Sequence, residues 1–351
     1  MGNRRTAILS HLFPEAMESP LILHCVLMIA AKDLLKYDSN VELQASAVEY
    51  YGRAISGLRE ALSGEQSANE PTSDHNLLAV ALFCLHEILP HLNAAAALLK
   101  PRLHMVPPNS SLRKFLVEMF CYFFSITAFT HGAHLSLSEA RQIFEYPGLF
   151  EYLQSGSIMG TSQKVFFIVF RVALYLSRLE PATFSDRRIY RDIVSAEKDL
   201  QNNQASFQVC RDMSAETIND GVTFELYRLA CVIYLQSLID ESIAISASSI
   251  QEMVSSFVTH LSMLPPESAS DGFLCWPMVI VGRCAIQQTH RTAISTKLKT
   301  IFDKFRSEIF SRNLTMLKQY WRYLERVDRN LMPNFSLAHG MRNFNDAVLM
   351  V

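Results

Sequence analysis

Apolar residues recur every three or four positions along most of this chain, which is the spacing of the buried face of an amphipathic helix. This pattern predicts helices over Val41–Leu62, Asn76–Leu89, Leu112–Thr130 and Thr296–Phe310, among others. Leu21–Ala31 is apolar at all positions but one, which predicts a helix buried on every side. No pair of segments shows the alternation typical of strands. The pattern therefore predicts an all-α fold, a single large domain of about ten to twelve packed helices.

Short polar and proline-containing stretches separate the predicted helices. Pro90 and Pro101 are each expected to end a helix, because proline lacks the N–H that a helix interior needs. The stretches between helices are short enough for consecutive helices to pack against one another. The chain is therefore divided into an N-terminal segment at 1–18, a helical domain at 19–327 and a C-terminal tail at 328–351.

Composition narrows the functional class. With 351 residues, 49% hydrophobic and 19% charged, the chain is expected to bury a large core. Its 32 Lys+Arg and 34 Asp+Glu give a net charge of -2, which offers no overall attraction to nucleic acid or to an anionic membrane. The most apolar windows are too short or too interrupted for a membrane span. The sequence thus predicts no membrane span and no direct contact with nucleic acid.

The seven cysteines are scattered singly and lie mostly within apolar runs. An odd number of cysteines without a C-x-x-C pair is typical of reduced core residues in the cytosol or nucleus. The spacing indicates neither a disulfide framework nor a cysteine metal site.

Isolated charges within apolar helices are the first candidates for a binding site. Glu118 and Arg171 each interrupt an apolar helix, and an unpaired buried charge is expensive. The two either pair with each other or anchor the polar end of a ligand in a pocket. For Arg283 the same two alternatives apply, an internal ion pair or a ligand anchor, and an exposed position is somewhat more favoured than for the other two charges. Tyr122 is also a candidate ligand-binding residue.

His131 and His134 follow the end of a core helix with the spacing H-x-x-H, which can present two imidazoles to one metal. No clear third ligand accompanies them, and zinc needs three or four. The alternative is a helix end in which Gly132 makes the turn. We therefore predict no metal or cofactor and add both histidines to the candidate ligand-binding residues.

Catalytic motifs are missing from the sequence. It contains no nucleophile elbow, phosphate loop, dinucleotide fingerprint or zinc-protease helix. The arginines at 187, 188 and 191 form a small basic patch of the kind usually found on a solvated helix. No catalytic residue can be assigned, and the sequence favours a protein that is not an enzyme.

Several blocks together resemble the regulatory domain that lies C-terminal to the zinc cluster of fungal-specific transcription factors. The matching stretches start at Ser19 (SPLILHCVLMIAAKDL), Ala47 (AVEYYGRAISGLREAL), Asn76 (NLLAVALFCLHEIL) and His91 (HLNAAAALL). Looser blocks follow in the same order, at Glu225 (ELYRLACVIYLQSLI), Leu274 (LCWPMVIVGRCAIQQTHR) and Leu317 (LKQYWRYLE). The resemblance implies a helical domain that senses a small apolar ligand or contacts other proteins, and it implies a nuclear location, with the cytoplasm as the alternative.

Those regulators also carry a binuclear zinc cluster of six closely spaced cysteines, which contacts DNA. In this chain the first cysteine, Cys25, already lies within the first predicted core helix, and the next is Cys84. We therefore expect a ligand-responsive transcriptional regulatory domain without its own cluster, with a DNA-binding regulator as a possible partner. The alternative is a helical small-molecule-binding protein or enzyme of fungal secondary metabolism built on the same fold.

Overall fold

The prediction of an all-α fold is confirmed by the computed structural model, in which the described residues form helices and no β-strand. The structure describes residues 12–38, 40–64, 74–86, 88–103, 111–131, 135–153, 156, 158–159, 163–176, 187–202, 215–240, 242–265, 268 and 270–326. Within these ranges thirteen helices have eight or more residues, slightly more than the sequence pattern predicts.

The helices fall into two compact units. The N-terminal unit comprises 2–128 and 132–160, and the C-terminal unit comprises 161–350 together with 129–131. The helices up to residue 160 are α1 (Pro20–Leu34), α2 (Val41–Gly64), α3 (Asp74–His86), α4 (Ile88–Leu103), α5 (Ser111–His131), α6 (Leu137–Phe144) and the single turn α7 (Leu149–Tyr152). Those that follow are α8 (Gln163–Leu176), α9 (Arg187–Asn202), α10 (Ala215–Ile239), α11 (Ser248–Met263), α12 (Cys275–Cys284), α13 (Gln288–Phe305) and α14 (Glu308–Arg326).

In the N-terminal unit, α1 packs along α2 and α3. Pro20 occupies the first turn of α1, where its missing N–H needs no partner, and the Ser19 hydroxyl accepts from the Ile22 N–H at 3.5 Å. Gly57 on α2 faces Leu21 of α1, and a Cβ at position 57 would lie 3.4 Å from the Leu21 Cδ1 atom, an ordinary van der Waals contact. The prediction of a helix buried on every side is wrong, because the buried residues of α1 form one stripe of Ile22, Cys25, Met28 and Ala31, whereas Leu23 is 39% exposed.

The prediction that Pro90 ends a helix is wrong. α3 ends at His86, and Pro90 lies in the first turn of α4, where proline is tolerated. Pro101 lies in the last turn of α4 instead of stopping the helix before it. Proline position alone could not distinguish the end of one helix from the start of the next.

The C-terminal unit is built around α10 and α12. α10 contacts α8, α9, α11 and α12, and α12 contacts α10, α11, α13 and α14. All ten residues of α12 are buried. Asn219–Ile239, within α10, is long and apolar enough to span a membrane by composition, but 72% of that window is buried within the protein. Such burial is what a core helix of a packed domain requires.

The helix predicted over Thr296–Phe310 is broken by a turn. α13 ends at Phe305, and Arg306 adopts a left-handed conformation with φ 51° before α14 begins. The N–H of Arg306 donates to the Phe302 carbonyl at 2.7 Å, which closes the last turn of α13.

We expect Arg306→Gly to stabilise the C-terminal unit by about 0.5–1 kcal/mol, because glycine adopts positive φ without steric cost. Urea unfolding followed by tryptophan fluorescence measures the change. Arg306→Ala serves as the control, since it removes the same side chain but keeps the Cβ. Equal stability of the two variants would contradict the backbone explanation.

Candidate functional site

The C-terminal end of α12 is enclosed by polar side chains from three other helices. Trp321 on α14 donates from Nε1 to the Gly282 carbonyl at 2.8 Å, and Gln251 on α11 donates from Nε2 to the Cys284 carbonyl at 2.9 Å. Arg291 on α13 donates from Nε to the Ala285 carbonyl at 2.9 Å. The carbonyl groups that a helix end leaves without intrahelical partners are thus bound by side chains.

Arg283 lies within this enclosed end and is 4% exposed. Its guanidinium carbon is 5.5 Å from the centre of the Tyr320 ring, and its Nη2 lies 3.6 Å from the Met316 sulfur. The position at the C-terminus of a helix favours a cation because of the helix dipole. Arg283 is therefore a buried charge, and the sequence-based view that it is more open to an exposed position is wrong.

Burial shifts the ionisation of both partners in this cluster. It lowers the pKa of Arg283 to about 10, and it raises the pKa of the Tyr320 hydroxyl. At neutral pH the guanidinium stays charged and the phenol stays neutral. The Tyr320 hydroxyl oxygen is buried and has no hydrogen-bond partner among the described residues. This group can donate to, or accept from, the polar group of a small molecule.

The N-terminal end of α12 is held by a buried carboxylate. Asp271, which is fully buried, lies in the turn before α12, and its Oδ1 is 2.7 Å from the Lys297 ammonium. Its Oδ2 is 3.4 Å from the ammonium of Lys304. The two cations come from α13 and compensate the buried charge. These contacts fix the turn before α12.

In the N-terminal unit, Glu118 is buried as the sequence predicts. Its Oε1 accepts from the N–H groups of Ile158 and Met159 at 2.8 and 2.6 Å. A Cβ on Gly156 would overlap this carboxylate, so the loop approaches it closely because residue 156 is glycine. The backbone N–H groups that could hold a phosphate are thus bound by an internal carboxylate. Glu118 therefore fixes this loop through Oε1, and its role as a ligand anchor stays a prediction.

Arg171 is exposed on α8. It belongs to the C-terminal unit, whereas Glu118 belongs to the N-terminal unit. The prediction of a buried charge at Arg171 is wrong, because this residue is exposed. Its pairing with Glu118 and its role as a ligand anchor stay predictions. Arg171 lies on the side of α8 that faces solvent. Lys164 and Phe167, which precede it at helical spacing on the same side, are only partly buried.

Of the remaining candidates, the structure describes the side chain of Tyr122. Tyr122 lies one turn after Glu118 on α5 and is 4% exposed, with its ring 5.4 Å from that of Phe123. The His131 side chain and His134 lie outside the described residues. Among the described residues no group of three or more His, Cys, Asp or Glu could hold a metal ion. Among the candidates whose side chains the structure describes, Arg283 lies in a polar cluster shared by several helices.

One buried ion pair is missed by the sequence analysis. Glu225 and Arg228 form a buried ion pair on α10, each with a side chain 5% exposed. Opposite charges three residues apart within an apolar helix are the signal that could have identified this pair. Asp271 offers no such signal, because a Ser-Ala-Ser-Asp-Gly run is typical of an exposed turn.

The described cysteines are expected to be unreactive in the folded protein. All six are buried and free, and burial raises the pKa of Cys25, Cys84 and Cys284 to about 12. Because the thiolate is the reactive form, alkylation at pH 7.5 should occur at these residues only after unfolding. Peptide mass mapping after iodoacetamide treatment, with and without urea, measures this. Complete labelling of any of the six in the native protein would contradict it.

Comparison with known proteins identifies a family. The profile described as "Fungal specific transcription factor domain" matches residues 1–329. No curated protein and no solved structure matches the chain in the corresponding searches. The match covers both units almost completely and agrees with the resemblance in the sequence blocks.

Proposed function

The chain belongs to the family of fungal-specific transcription factor domains, and on that premise we propose that it is a ligand-responsive regulatory domain of a transcriptional regulator. The family match over 1–329 carries the regulatory role. We propose further that it acts in the nucleus through protein partners, one of which is a DNA-binding regulator, and makes no direct contact with DNA itself.

The cluster at the C-terminal end of α12 supports the proposed response to a ligand. Arg283 and the Tyr320 hydroxyl offer buried polar groups beside the apolar residues of α12. Sites for small molecules are mostly apolar, with a few placed polar groups. An apolar molecule with one polar group, such as a sterol or a fatty acid, matches this chemistry. Because α11, α13 and α14 all contact this end of α12, a ligand there would alter the packing of several helices.

A tethering experiment tests the regulatory role. The full chain is fused to an unrelated DNA-binding domain in a fungal host, and a reporter with the matching operator is measured. We expect reporter expression to differ at least threefold from that of the DNA-binding domain alone. Unchanged expression in the presence of the folded fusion would contradict the proposed role.

A binding experiment tests the response to a ligand separately. Sterols and fatty acids are added to the purified chain, and thermal unfolding is followed by tryptophan fluorescence, since binding to the folded state raises the Tm. Tyr320→Phe removes only the hydroxyl and should weaken any Tm increase, whereas the exposed Tyr323→Phe is the control. No increase with any of these lipids would contradict the ligand class. Binding without a reporter effect would favour the alternative, a small-molecule-binding protein or enzyme of secondary metabolism.

A further inference from the structure

Positive charge is concentrated in the helical hairpin formed by α13 and α14. Residues 288–326 contain nine Lys+Arg and three Asp+Glu, a net charge of +6, whereas the rest of the chain has 23 Lys+Arg and 31 Asp+Glu, a net charge of -8. The overall charge of -2 therefore hides a strongly basic segment. Such an asymmetry produces a local potential at the surface even when the total charge is small.

Three cations on the C-terminal half of α14 form the centre of this surface. Lys318, Arg322 and Arg326 are exposed and lie one helical turn apart, so they follow one line along the helix. None of the three forms an ion pair with a residue that the structure describes. We refer to these three residues as the basic stripe.

The two acidic residues of α14, within the helix that the structure describes, each lie in an ion pair. The Glu325 carboxylate lies 2.6 Å from the Arg291 guanidinium, and Glu308 pairs with Arg312 at 2.5 Å one turn away. The cations of the basic stripe are consequently not neutralised within their own helix. Tyr323, 51% exposed, lies beside Arg322 and adds an aromatic surface. Arginine and tyrosine are both enriched at protein interfaces.

We propose that the basic stripe is a docking surface for an acidic polypeptide segment, an inference that goes beyond the proposed function and does not depend on a ligand. Glutamates one turn apart on a partner helix would match the spacing of Lys318, Arg322 and Arg326. Apolar residues of the same segment would contact Tyr323.

A protein segment matches this surface better than a nucleic acid does. Exposed charges interact over a Debye length of about 8 Å at physiological ionic strength, so a short segment senses mainly the hairpin. Proteins that bind a duplex usually contact many phosphates, whereas the basic stripe offers three exposed cations on one helix. A single acidic helix, which presents glutamates at the same one-turn spacing, matches these three cations more closely.

Fluorescence anisotropy with the full chain tests the proposal. The probe is a labelled 20-residue helical peptide with glutamates and leucines at one-turn spacing, and its control has glutamine in place of glutamate. We expect the acidic peptide to bind, and the variant Lys318→Gln/Arg322→Gln/Arg326→Gln to bind it about tenfold more weakly, since each exposed charge pair contributes roughly 0.5 kcal/mol. The affinity should also fall as salt is raised.

A matched variant controls for the loss of net charge. Arg59→Gln/Arg171→Gln/Lys198→Gln removes three exposed cations from other helices, and it should bind the acidic peptide as the unmodified chain does. Thermal unfolding confirms that both triple variants remain folded. Three results would overturn the proposal: no binding of the acidic peptide, equal loss in the two triple variants, or tighter binding of a 20-base-pair duplex that the basic-stripe variant abolishes.

Discussion

Replacing Arg228 with methionine is expected to lower the free energy of unfolding of the C-terminal unit by about 3–5 kcal/mol. The Arg228 guanidinium donates to both carboxylate oxygens of Glu225, with Nε to Oε2 at 2.7 Å. Its Nη1 also lies 3.5 Å from the Leu200 carbonyl oxygen on α9. The substitution leaves the Glu225 charge buried without this partner, and an uncompensated buried charge is strongly destabilising.

Urea unfolding followed by tryptophan fluorescence isolates this effect, because Trp276 and Trp321 are the two tryptophans of the chain and both lie in the C-terminal unit. The double variant Glu225→Leu/Arg228→Met removes both charges and should recover most of the loss. Arg312→Met, which breaks an exposed pair with Glu308, is the matched control and should change stability by less than about 1 kcal/mol. A loss below 1 kcal/mol for Arg228→Met would contradict the structural role of the pair.

Replacing Glu118 with alanine should destabilise the N-terminal unit by about 3–5 kcal/mol. The substitution removes the acceptor of two buried N–H groups, those of Ile158 and Met159, and each unsatisfied group costs about 1–3 kcal/mol. Glu118→Gln keeps an acceptor oxygen in place and should cost much less. Gly156→Ala should also destabilise this unit, since its Cβ would overlap the carboxylate.

Because neither tryptophan lies in the N-terminal unit, its unfolding has to be followed by circular dichroism or pulse proteolysis. Tryptophan fluorescence then shows whether the C-terminal unit is left unchanged. If Glu118→Ala and Glu118→Gln were equally stable, the two hydrogen bonds would not be the source of the effect.

The existence of the helices could be predicted from the sequence, because apolar spacing of three or four residues directly reflects a buried helix face. The break at Arg306 could not, since an arginine in the left-handed conformation has no sequence signal of the kind that glycine gives. Pro90 was misassigned for a related reason: proline is tolerated both in the first turn of a helix and just after the end of one, so its position did not show which of the two applies.

The candidate site was predicted less completely, because the sequence gives the presence of a charge but not its surroundings. Glu118 and Arg171 both interrupt apolar helices, yet one is buried and the other exposed. Partners distant in sequence decide the difference: Glu118 is bound by a loop forty residues later. The cluster around Arg283 likewise depends on Tyr320, which joins it only through the packing of α14 against α12.

The complete burial of α12 has a consequence for the timescale on which this protein opens. A helix that is buried along its whole length, and whose last carbonyls are bound by side chains from α11, α13 and α14, cannot be hydrated by local fraying. Its amide hydrogens can exchange with solvent only when the surrounding helices separate. In a deuterium-exchange experiment α12 would therefore be the slowest segment of its unit, and its exchange rate would report the global unfolding of that unit.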